Sequence, residues 1–352
     1  MIETPREKVQ WIQILRAVAA AFVALHHSIY YVASRDGVVS IADDITIFAA
    51  GVDLFFVISG FVMMMVSDQT AGRVVTVRRF AVSRIVRIVP LYWFYTLIVA
   101  VVFFSGSGLI RSAAVSENSF VLSLLFIPYK DADGIAPILG VGWTLNYEMW
   151  FYAAFALMLH LSVLHRIMTM ALVFIALFSI GHLSTYDGEV PEYLRSSITF
   201  DFLAGMMLYA LHRTGFRHSI LHALGLICAA AALFAWSASQ GDPPPALRFL
   251  MWGMPAAIVV FAALSLPEVK GGAGRLIVLL GDASYSIYLS HLFTIGAVYA
   301  VARHFSGLSF GVVVTTSFIT SLIAGVAAYR LIEQPLLRAS RLGARRWLQR
   351  SA

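Results

Sequence analysis

Residues 11–31 read WIQILRAVAAAFVALHHSIYY, an apolar stretch long enough to cross a lipid bilayer as one α-helix. The stretch nevertheless contains one arginine, Arg16, and two adjacent histidines, His26 and His27. Ionisable side chains are costly inside a membrane, so they usually face the interior of the protein or a water-filled cavity. The stretch therefore predicts a membrane-spanning helix with one polar face that is a candidate functional site.

Helical geometry indicates which histidine shares that face with the arginine. At about 100° per residue, His27 lies roughly 20° from the line of Arg16, whereas His26 lies roughly 80° from it. At about 1.5 Å per residue, Arg16 and His27 are about 16 Å apart along the helix axis. We expect Arg16 near one membrane surface and His27 well inside. A snorkelling arginine and a histidine that hydrogen-bonds a neighbouring helix would give the same pattern.

The composition places the whole chain in the membrane class. Its 352 residues are 60% hydrophobic and 12% charged, with a mean hydropathy of +0.82, which is unlike any soluble domain. The net charge of +6 does not indicate nucleic-acid binding, because the basic residues fall in loops between apolar stretches. A single cysteine, Cys228, excludes an internal disulfide and a cysteine-cluster metal site, and we expect no metal. We expect the first stretch to be retained, since it is longer than a signal-peptide core.

Ten apolar stretches predict an all-α, polytopic transmembrane helix bundle. They are residues 11–31, 45–66, 85–104, 142–161, 167–185, 198–212, 219–239, 248–266, 276–302 and 309–331. Of the lysines and arginines, 19 lie on the side of the N terminus and 6 on the other side. Because cytoplasmic loops carry the excess of positive charge, we expect both termini in the cytoplasm. A single transmembrane domain over residues 1–352, with no appended soluble domain, is the expected organisation.

The second stretch contains small residues and a carboxylate. It reads GVDLFFVISGF from Gly51 onward. Gly51, Ser59 and Gly60 favour close packing of helices. Asp53 lies in the outer half of this span, where it either orients a histidine or caps a helix.

The fourth stretch begins GVGWTLNYEMWFY, with Glu148 about two turns in from the outer surface. An intramembrane carboxylate is a candidate functional group, and Glu148 can pair with a histidine and raise its basicity. A buried hydrogen bond between helices is the alternative. Trp143, Asn146 and Tyr147 lie beside it as candidate substrate-binding or orienting residues.

Two further stretches contribute candidate residues. Arg84 and Arg87, at the start of the third span, are three residues apart and hence on one helix face. Guanidinium groups bind phosphate bidentately, so the pair suits a phosphate-rich ligand. Its alternative role is positive-inside topology with contact to anionic lipid. The ninth span contains GDASYSIYLSHLF, in which Tyr285 and His291 belong either to a cavity wall or to a hydrogen-bonded seam between helices.

Two other features have expected structural roles. Glu333 and Pro335 predict a helix stop at the cytoplasmic surface, where Glu333 is expected to pair with Arg330. The longest loop, residues 105–141, contains the apolar run 120–127, which we expect at the membrane interface or dipping into the protein.

Together, these stretches resemble the acyltransferase family 3 membrane proteins, in order and over nearly the whole chain. Arg16 and His27 reproduce that family's pattern of an arginine, ten residues and a histidine. The stretches GVDLFFVISGF, WTLNYEMWFY and SYSIYLSH look like further family blocks, as do the run from Arg84 through Arg87 to a proline and the tail at Glu333. The phrase VGWTLNYEMWFY is most similar to the exopolysaccharide branch of the family.

The resemblance implies a membrane-bound O-acyltransferase of the bacterial inner membrane. It would transfer an acyl group, usually acetyl, from cytoplasmic acyl-CoA to a sugar hydroxyl of an exopolysaccharide or of its lipid-linked precursor. Acyl-CoA would be the donor substrate and not a permanently bound cofactor. Some relatives carry an extracytoplasmic esterase-like domain, whereas here we expect transfer to be completed within the membrane domain. The rival functions are a transporter or flippase of a lipid-linked saccharide and a structural subunit of an export complex.

The resemblance also suggests a role for each polar residue. Arg84 and Arg87 are expected to hold the nucleotide end of acyl-CoA, with Arg16 near its pyrophosphate. An extended arm of roughly 16 Å would then bring the thioester to His27, through a passage walled by the first four spans. His27 would act as general base on the acceptor hydroxyl, oriented by Glu148 or, as the second choice, by the other intramembrane carboxylate. A covalent acyl-histidine is the mechanistic alternative.

Overall fold

The computed structural model describes residues 10–38, 45–68, 76–104, 116–131, 134–135, 137–186 and 188–350. Within those ranges the protein is a bundle of α-helices. These are α1 (Gln10–Asp36), α2 (Gly51–Asp68), α3 (Val77–Phe104), α4 (Glu117–Leu124), α5 (Trp143–Leu157), α6 (Val163–Leu183), α7 (Glu189–Leu194), α8 (Thr199–Arg213), α9 (Ile220–Ala238), α10 (Met254–Ala263), α11 (Gly271–Asp282), α12 (Ser284–Ala302), α13 (Phe310–Ala328) and α14 (Gln334–Arg350). Two short strands, β1 (Lys130–Asp131) and β2 (Gly134–Ile135), pair antiparallel.

Helices lie at all ten predicted stretches, which confirms an all-helical membrane bundle. In the described part of the chain, eight segments are long and apolar enough to cross a membrane. The other two, α5 and α8, have 15 residues each. At about 1.5 Å per residue they are about 22 Å long, shorter than a hydrocarbon core of about 30 Å. The count of ten spans and the cytoplasmic termini stay predictions. That topology also depends on Arg6, Lys8, Arg73 and Arg111, which lie outside the described residues.

Helix α1 is central and packs against α2, α11, α12 and α13. Glycines allow the closest crossings around it, because an added Cβ would meet backbone atoms. A Cβ on Gly51 would lie 2.6 Å from the Ala19 carbonyl oxygen, and one on Gly60 would lie 2.0 Å from the Phe202 carbonyl oxygen. Gly205 of α8 approaches the α2 backbone just as closely. The predicted packing role of Gly51 and Gly60 is therefore confirmed.

The predicted helix stop at Glu333 and Pro335 is wrong. A π-helical turn carries α13 directly into α14, and Pro335 is the second residue of α14, where a proline is tolerated. Glu333 is only 1% exposed. It accepts hydrogen bonds from Arg87 and Ser286, not from Arg330. A buried carboxylate needs such partners, so the Glu333 side chain faces the bundle interior while its neighbour Leu331 is exposed.

The apolar run of the long loop forms α4 and packs on α3. The Tyr92 hydroxyl donates to the Ser123 carbonyl oxygen at 3.0 Å, and the Trp93 indole donates to the Leu124 carbonyl oxygen at 3.0 Å. These bonds satisfy two carbonyls at the C-terminal end of α4. Residues 105–115 of the same loop lie outside the described residues.

Arg166 anchors the C-terminal end of α5. Although its type suggested a cytoplasmic surface charge, it is only 5% exposed. Its guanidinium donates to the carbonyl oxygens of Met158, Leu159 and Leu161, and to the Ser67 hydroxyl of α2 at 2.7 Å. These bonds satisfy the open carbonyls at the helix end. They hold the short helix that carries Glu148 in place.

Candidate active site

A cavity of about 130 Å³ lies between α1, α2, α3, α5 and α12. It is lined by charged and hydroxyl-bearing side chains as well as apolar ones. The polar lining residues are Arg16, Ser59, Arg84, Arg87, Thr144, Glu148, Tyr152, Ser284, Tyr285 and Tyr288. Five of these are predicted site residues, namely Arg16, Arg84, Arg87, Glu148 and Tyr285. The walls include the four spans predicted to form the passage, and the ninth span, through α12, in addition.

Two of the arginines are held by partners within the protein. Arg16 donates through Nε and Nη2 to the Ser284 hydroxyl, at 3.2 and 3.0 Å. Arg87 donates through Nη1 to Oε1 of Glu333, whose Oε2 accepts from Ser286 at 2.7 Å. Because the Glu333 carboxylate is buried, the Arg87 charge is partly balanced before any ligand binds.

Arg84 has weaker contacts than the other two. Its Nε donates to Ser83 at 3.2 Å, and its Nη1 lies 3.7 Å from the sulfur of Met63. Its guanidinium carbon lies 5.9 Å from the Phe80 ring centroid and 6.0 Å from that of Tyr152. In the described ranges it makes no salt bridge, so its positive charge, unlike that of Arg87, is not paired with a carboxylate before a ligand binds.

Glu148 faces the cavity and not a histidine. Its Oε1 accepts from the Tyr152 hydroxyl and from Ser59 Oγ, the latter at 3.2 Å. The predicted pairing with His27 is not present, since no hydrogen bond joins the two within the described residues. The reason is that Glu148 shares an α5 face with Tyr152, one turn away, and this face lines the cavity. Ser59, expected only to allow close packing, belongs to this polar cluster.

Phe55 and Tyr288 form an aromatic part of the cavity lining, beside His291. Their ring centroids are 6.1 Å apart in an edge-to-face arrangement. The Tyr288 hydroxyl donates to the Val141 carbonyl oxygen and hydrogen-bonds Thr144 Oγ1 at 2.7 Å. Tyr288 therefore reaches from α12 across to the start of α5.

His27 does not line the cavity. The His291 ring is 6.1 Å from that of Tyr288, and the His27 ring is 4.9 Å from that of His291. His27 is partly buried, whereas His291 is fully buried. The cavity that contains the arginines therefore does not extend to His27, contrary to the expected open passage. The histidine pair itself was not predicted, because the sequence pattern does not show which faces of α1 and α12 meet.

Asp53 does not orient a histidine, because both of its oxygens bind an arginine. Oδ1 and Oδ2 accept from Nε and Nη2 of Arg248, at 3.0 and 2.8 Å. The Arg248 guanidinium also lies 5.6 Å from the Trp143 ring and 4.7 Å from the Trp252 ring. Arg248 is the first residue of the predicted stretch 248–266 and was not predicted as a site residue. The signal that it needed a partner was Asp53 itself, since a fully buried carboxylate requires a cation.

Trp143, Asn146 and Tyr147 lie away from the cavity. Tyr147 stacks on Tyr193, with ring centroids 3.7 Å apart, and donates to the Tyr193 carbonyl oxygen at 2.8 Å. Asn146 is 2% exposed, and its Oδ1 has no hydrogen-bond partner among the described residues. The α5 surface is thus divided, with Glu148 on the cavity side and these three residues elsewhere.

Comparison with known proteins gives a family and one relative. Residues 9–330 match the acyltransferase 3 family, which is described as an acyltransferase domain. The chain is also 36% identical, over 300 residues, to the exopolysaccharide production protein ExoZ of Rhizobium meliloti (strain 1021). That match covers 84% of this chain and 92% of the relative. No solved structure matches the chain.

Proposed function

Since this chain belongs to the acyltransferase 3 family, we propose that it transfers an acetyl or other short acyl group from cytoplasmic acyl-CoA to a sugar hydroxyl of an exopolysaccharide or of its lipid-linked precursor. The name of the relative, an exopolysaccharide production protein, supports a polysaccharide acceptor. The observation that carries the donor is the convergence of Arg16, Arg84 and Arg87 on one cavity. The apolar spans support a place in a membrane, which we propose to be the bacterial inner membrane.

The arginine end of the cavity suits the nucleotide of the donor. Acyl-CoA carries several phosphates, and guanidinium groups bind phosphate through paired, charge-assisted hydrogen bonds. On the predicted topology, Arg16, Arg84 and Arg87 lie toward the cytoplasm, where acyl-CoA is made. A molecule with that many charges does not cross a bilayer unaided, so its nucleotide stays at this end.

The rest of the cavity suits the pantetheine arm. The arm carries amide N–H groups, and Glu148 provides a charged acceptor in the cavity wall. Tyr285, whose hydroxyl donates to the Ile88 carbonyl oxygen at 2.8 Å, forms part of the opposite wall. A donor bound in this way has its thioester near Phe55 and Tyr288. These two side chains must turn aside before the thioester meets the acceptor, a gating motion of a kind common in enzymes.

His27 is the base in this proposal. Its Nδ1 lies 2.9 Å from the Val23 carbonyl oxygen, which can only accept, so in the neutral ring Nδ1 carries the proton and Nε2 the lone pair. Nε2 then accepts the proton of the sugar hydroxyl as its oxygen bonds to the thioester carbon. The carbon–sulfur bond breaks, and the proton passes to the leaving sulfur to give free coenzyme A.

Deleting the protein should remove acyl substituents from the cell-surface polysaccharide without reducing the amount exported. Mass spectrometry of the purified polysaccharide measures both quantities. A transporter or flippase gives the opposite result, namely less exported polysaccharide with unchanged acylation.

In oriented vesicles, acetyl-CoA should release coenzyme A only when it is supplied on the face bearing the termini. Turnover from the opposite face alone would contradict the proposed entry of the donor.

Replacing Arg84 with alanine should raise the KM for acyl-CoA by roughly 10- to 150-fold, which corresponds to one hydrogen bond to a charged group at about 1.5–3 kcal/mol. The KM for the acceptor should change little, because in this proposal the acceptor meets His27, which does not line the cavity. Arg79→Ala is the matched control, since Arg79 is exposed on the same helix and does not line the cavity. An unchanged donor KM in Arg84→Ala would assign this arginine to membrane topology alone.

A further inference from the structure

Two imidazoles lie side by side outside the residues that line the cavity. The rings of His27, on α1, and His291, on α12, have centroids 4.9 Å apart and planes inclined at 55°. Each Nδ1 lies close to the carbonyl oxygen four residues earlier on its own helix, at 2.9 Å for Val23 and 3.1 Å for Ile287. A carbonyl oxygen only accepts, so in the neutral state both Nδ1 atoms carry the proton and both Nε2 atoms present a lone pair.

The lone pair of His291 lacks a donor. His291 is fully buried, and its Nε2 has no hydrogen-bond partner among the described residues. Three hydroxyls near the pair, those of Tyr288, Ser290 and Ser28, each donate to a backbone carbonyl oxygen instead. An unpaired buried acceptor is destabilising, and two imidazole lone pairs cannot satisfy each other. The pair therefore needs a hydrogen-bond donor from outside the chain.

We propose that the acceptor hydroxyl of the sugar supplies this donor by way of His27: the hydroxyl donates to Nε2 of His27, and His291 is a positioning residue that accepts the N–H formed there. The proposal rests on the function proposed above. When the hydroxyl oxygen bonds to the thioester carbon, its proton moves to Nε2 of His27 and the carbon–sulfur bond breaks. The new imidazolium N–H donates to Nε2 of His291 until the proton passes to the leaving sulfur. His291 thus stabilises the cationic form of His27, a role that the sequence pattern had suggested for Glu148.

A divalent metal ion is the other ligand class that imidazole nitrogens commonly bind. In the part of the chain that the structure describes, no third histidine, cysteine, aspartate or glutamate joins His27 and His291 in a group able to hold a metal. The sugar hydroxyl is therefore the better match, and the metal becomes an outcome of the test.

The test measures kcat and KM separately for purified wild-type protein and its variants. Acetyl-CoA is the donor, and polysaccharide from the deletion strain is the acceptor. His291→Gln should lower kcat by roughly 10- to 150-fold, the loss expected for one hydrogen bond to a charged group. The KM for acetyl-CoA should stay unchanged, because His291 does not contact the arginine end. The matched control is His304→Gln, which changes an exposed histidine just after α12. An unchanged kcat in His291→Gln overturns the proposal.

A second measurement decides the matter even if the position 291 variant does not fold. In the ¹⁵N NMR spectrum of wild-type protein labelled with ¹⁵N-histidine, His27 and His291 should both be protonated at Nδ1 and unprotonated at Nε2. The substitution His27→Gln should shift the Nε2 signal of His291. An Nε2-protonated His291 in the free protein overturns the proposal. So does activity that EDTA abolishes and a divalent metal restores. A wild-type protein that transfers no acyl group would instead refute the proposed function.

Discussion

Replacing His27 with alanine is expected to lower kcat by roughly 10²- to 10⁴-fold, the contribution typical of a positioned general base. In the described part of the structure, His27 is the partly exposed histidine that lies beside His291, and its Nε2 presents a lone pair. Coenzyme A release measured with a thiol reagent follows the reaction directly. The assay is best done in a Cys228→Ser background, because Cys228 is an exposed free thiol that would react as well.

His26→Ala is the matched control for this variant. The His26 ring touches that of His27, at 5.1 Å, but it stacks on Tyr30, which is half exposed. It therefore belongs to a different helix face from Arg16, and its loss should change kcat little. Inactive His26→Ala together with active His27→Ala would refute the choice of base. An acylated His27, found by mass spectrometry after acetyl-CoA is added without acceptor, would favour the covalent alternative.

The fold was largely predictable, because long apolar stretches in a bilayer can only be helices. The misjudged details are those that depend on local partners. Pro335 suggested a helix end, yet a π-helical turn before it lets the helix continue. Arg166 suggested a surface charge, yet its guanidinium satisfies the carbonyl oxygens at the end of α5. In both cases the outcome depended on a neighbouring turn or helix, which the residue type alone does not reveal.

The sequence indicates which residues of each helix are candidate site residues, but not which faces of different helices meet. Periodicity put Arg16 and His27 on one face of α1, and of the two only Arg16 lines the cavity, as does the intramembrane carboxylate Glu148. Periodicity cannot show how one helix is rotated relative to another. The partners that the sequence pattern did not reveal are far apart along the chain. Arg248, for example, is separated from Asp53 by 195 positions. The same limit led to the expectation that Glu148, and not a second histidine, would support His27.

Arg87 illustrates how a residue can serve both stability and binding. Its guanidinium lines the cavity, yet it also balances Glu333, which is 1% exposed and is separated from it by 246 positions. Removing one partner of a buried ion pair leaves an uncompensated charge, whereas replacing both is often neutral. Variants of Arg87 alone therefore mix two effects, and variants of the pair separate them.

Arg87→Met is expected to destabilise the protein by about 3 kcal/mol, at the lower end for a buried ion pair because the Arg87 side chain is 27% exposed. The double variant Arg87→Met/Glu333→Gln should recover most of that loss, since glutamine carries no charge and can still accept from Ser286.

Thermal unfolding in detergent measures the stability of the single and the double variant. The control is Arg84→Ala, which breaks no salt bridge and is expected to unfold like the wild type. If Arg87→Met is as stable as the wild type, Glu333 does not require the arginine charge. In the rescued double variant, a raised KM for acyl-CoA would then report the contribution of Arg87 to donor binding, free of its effect on folding.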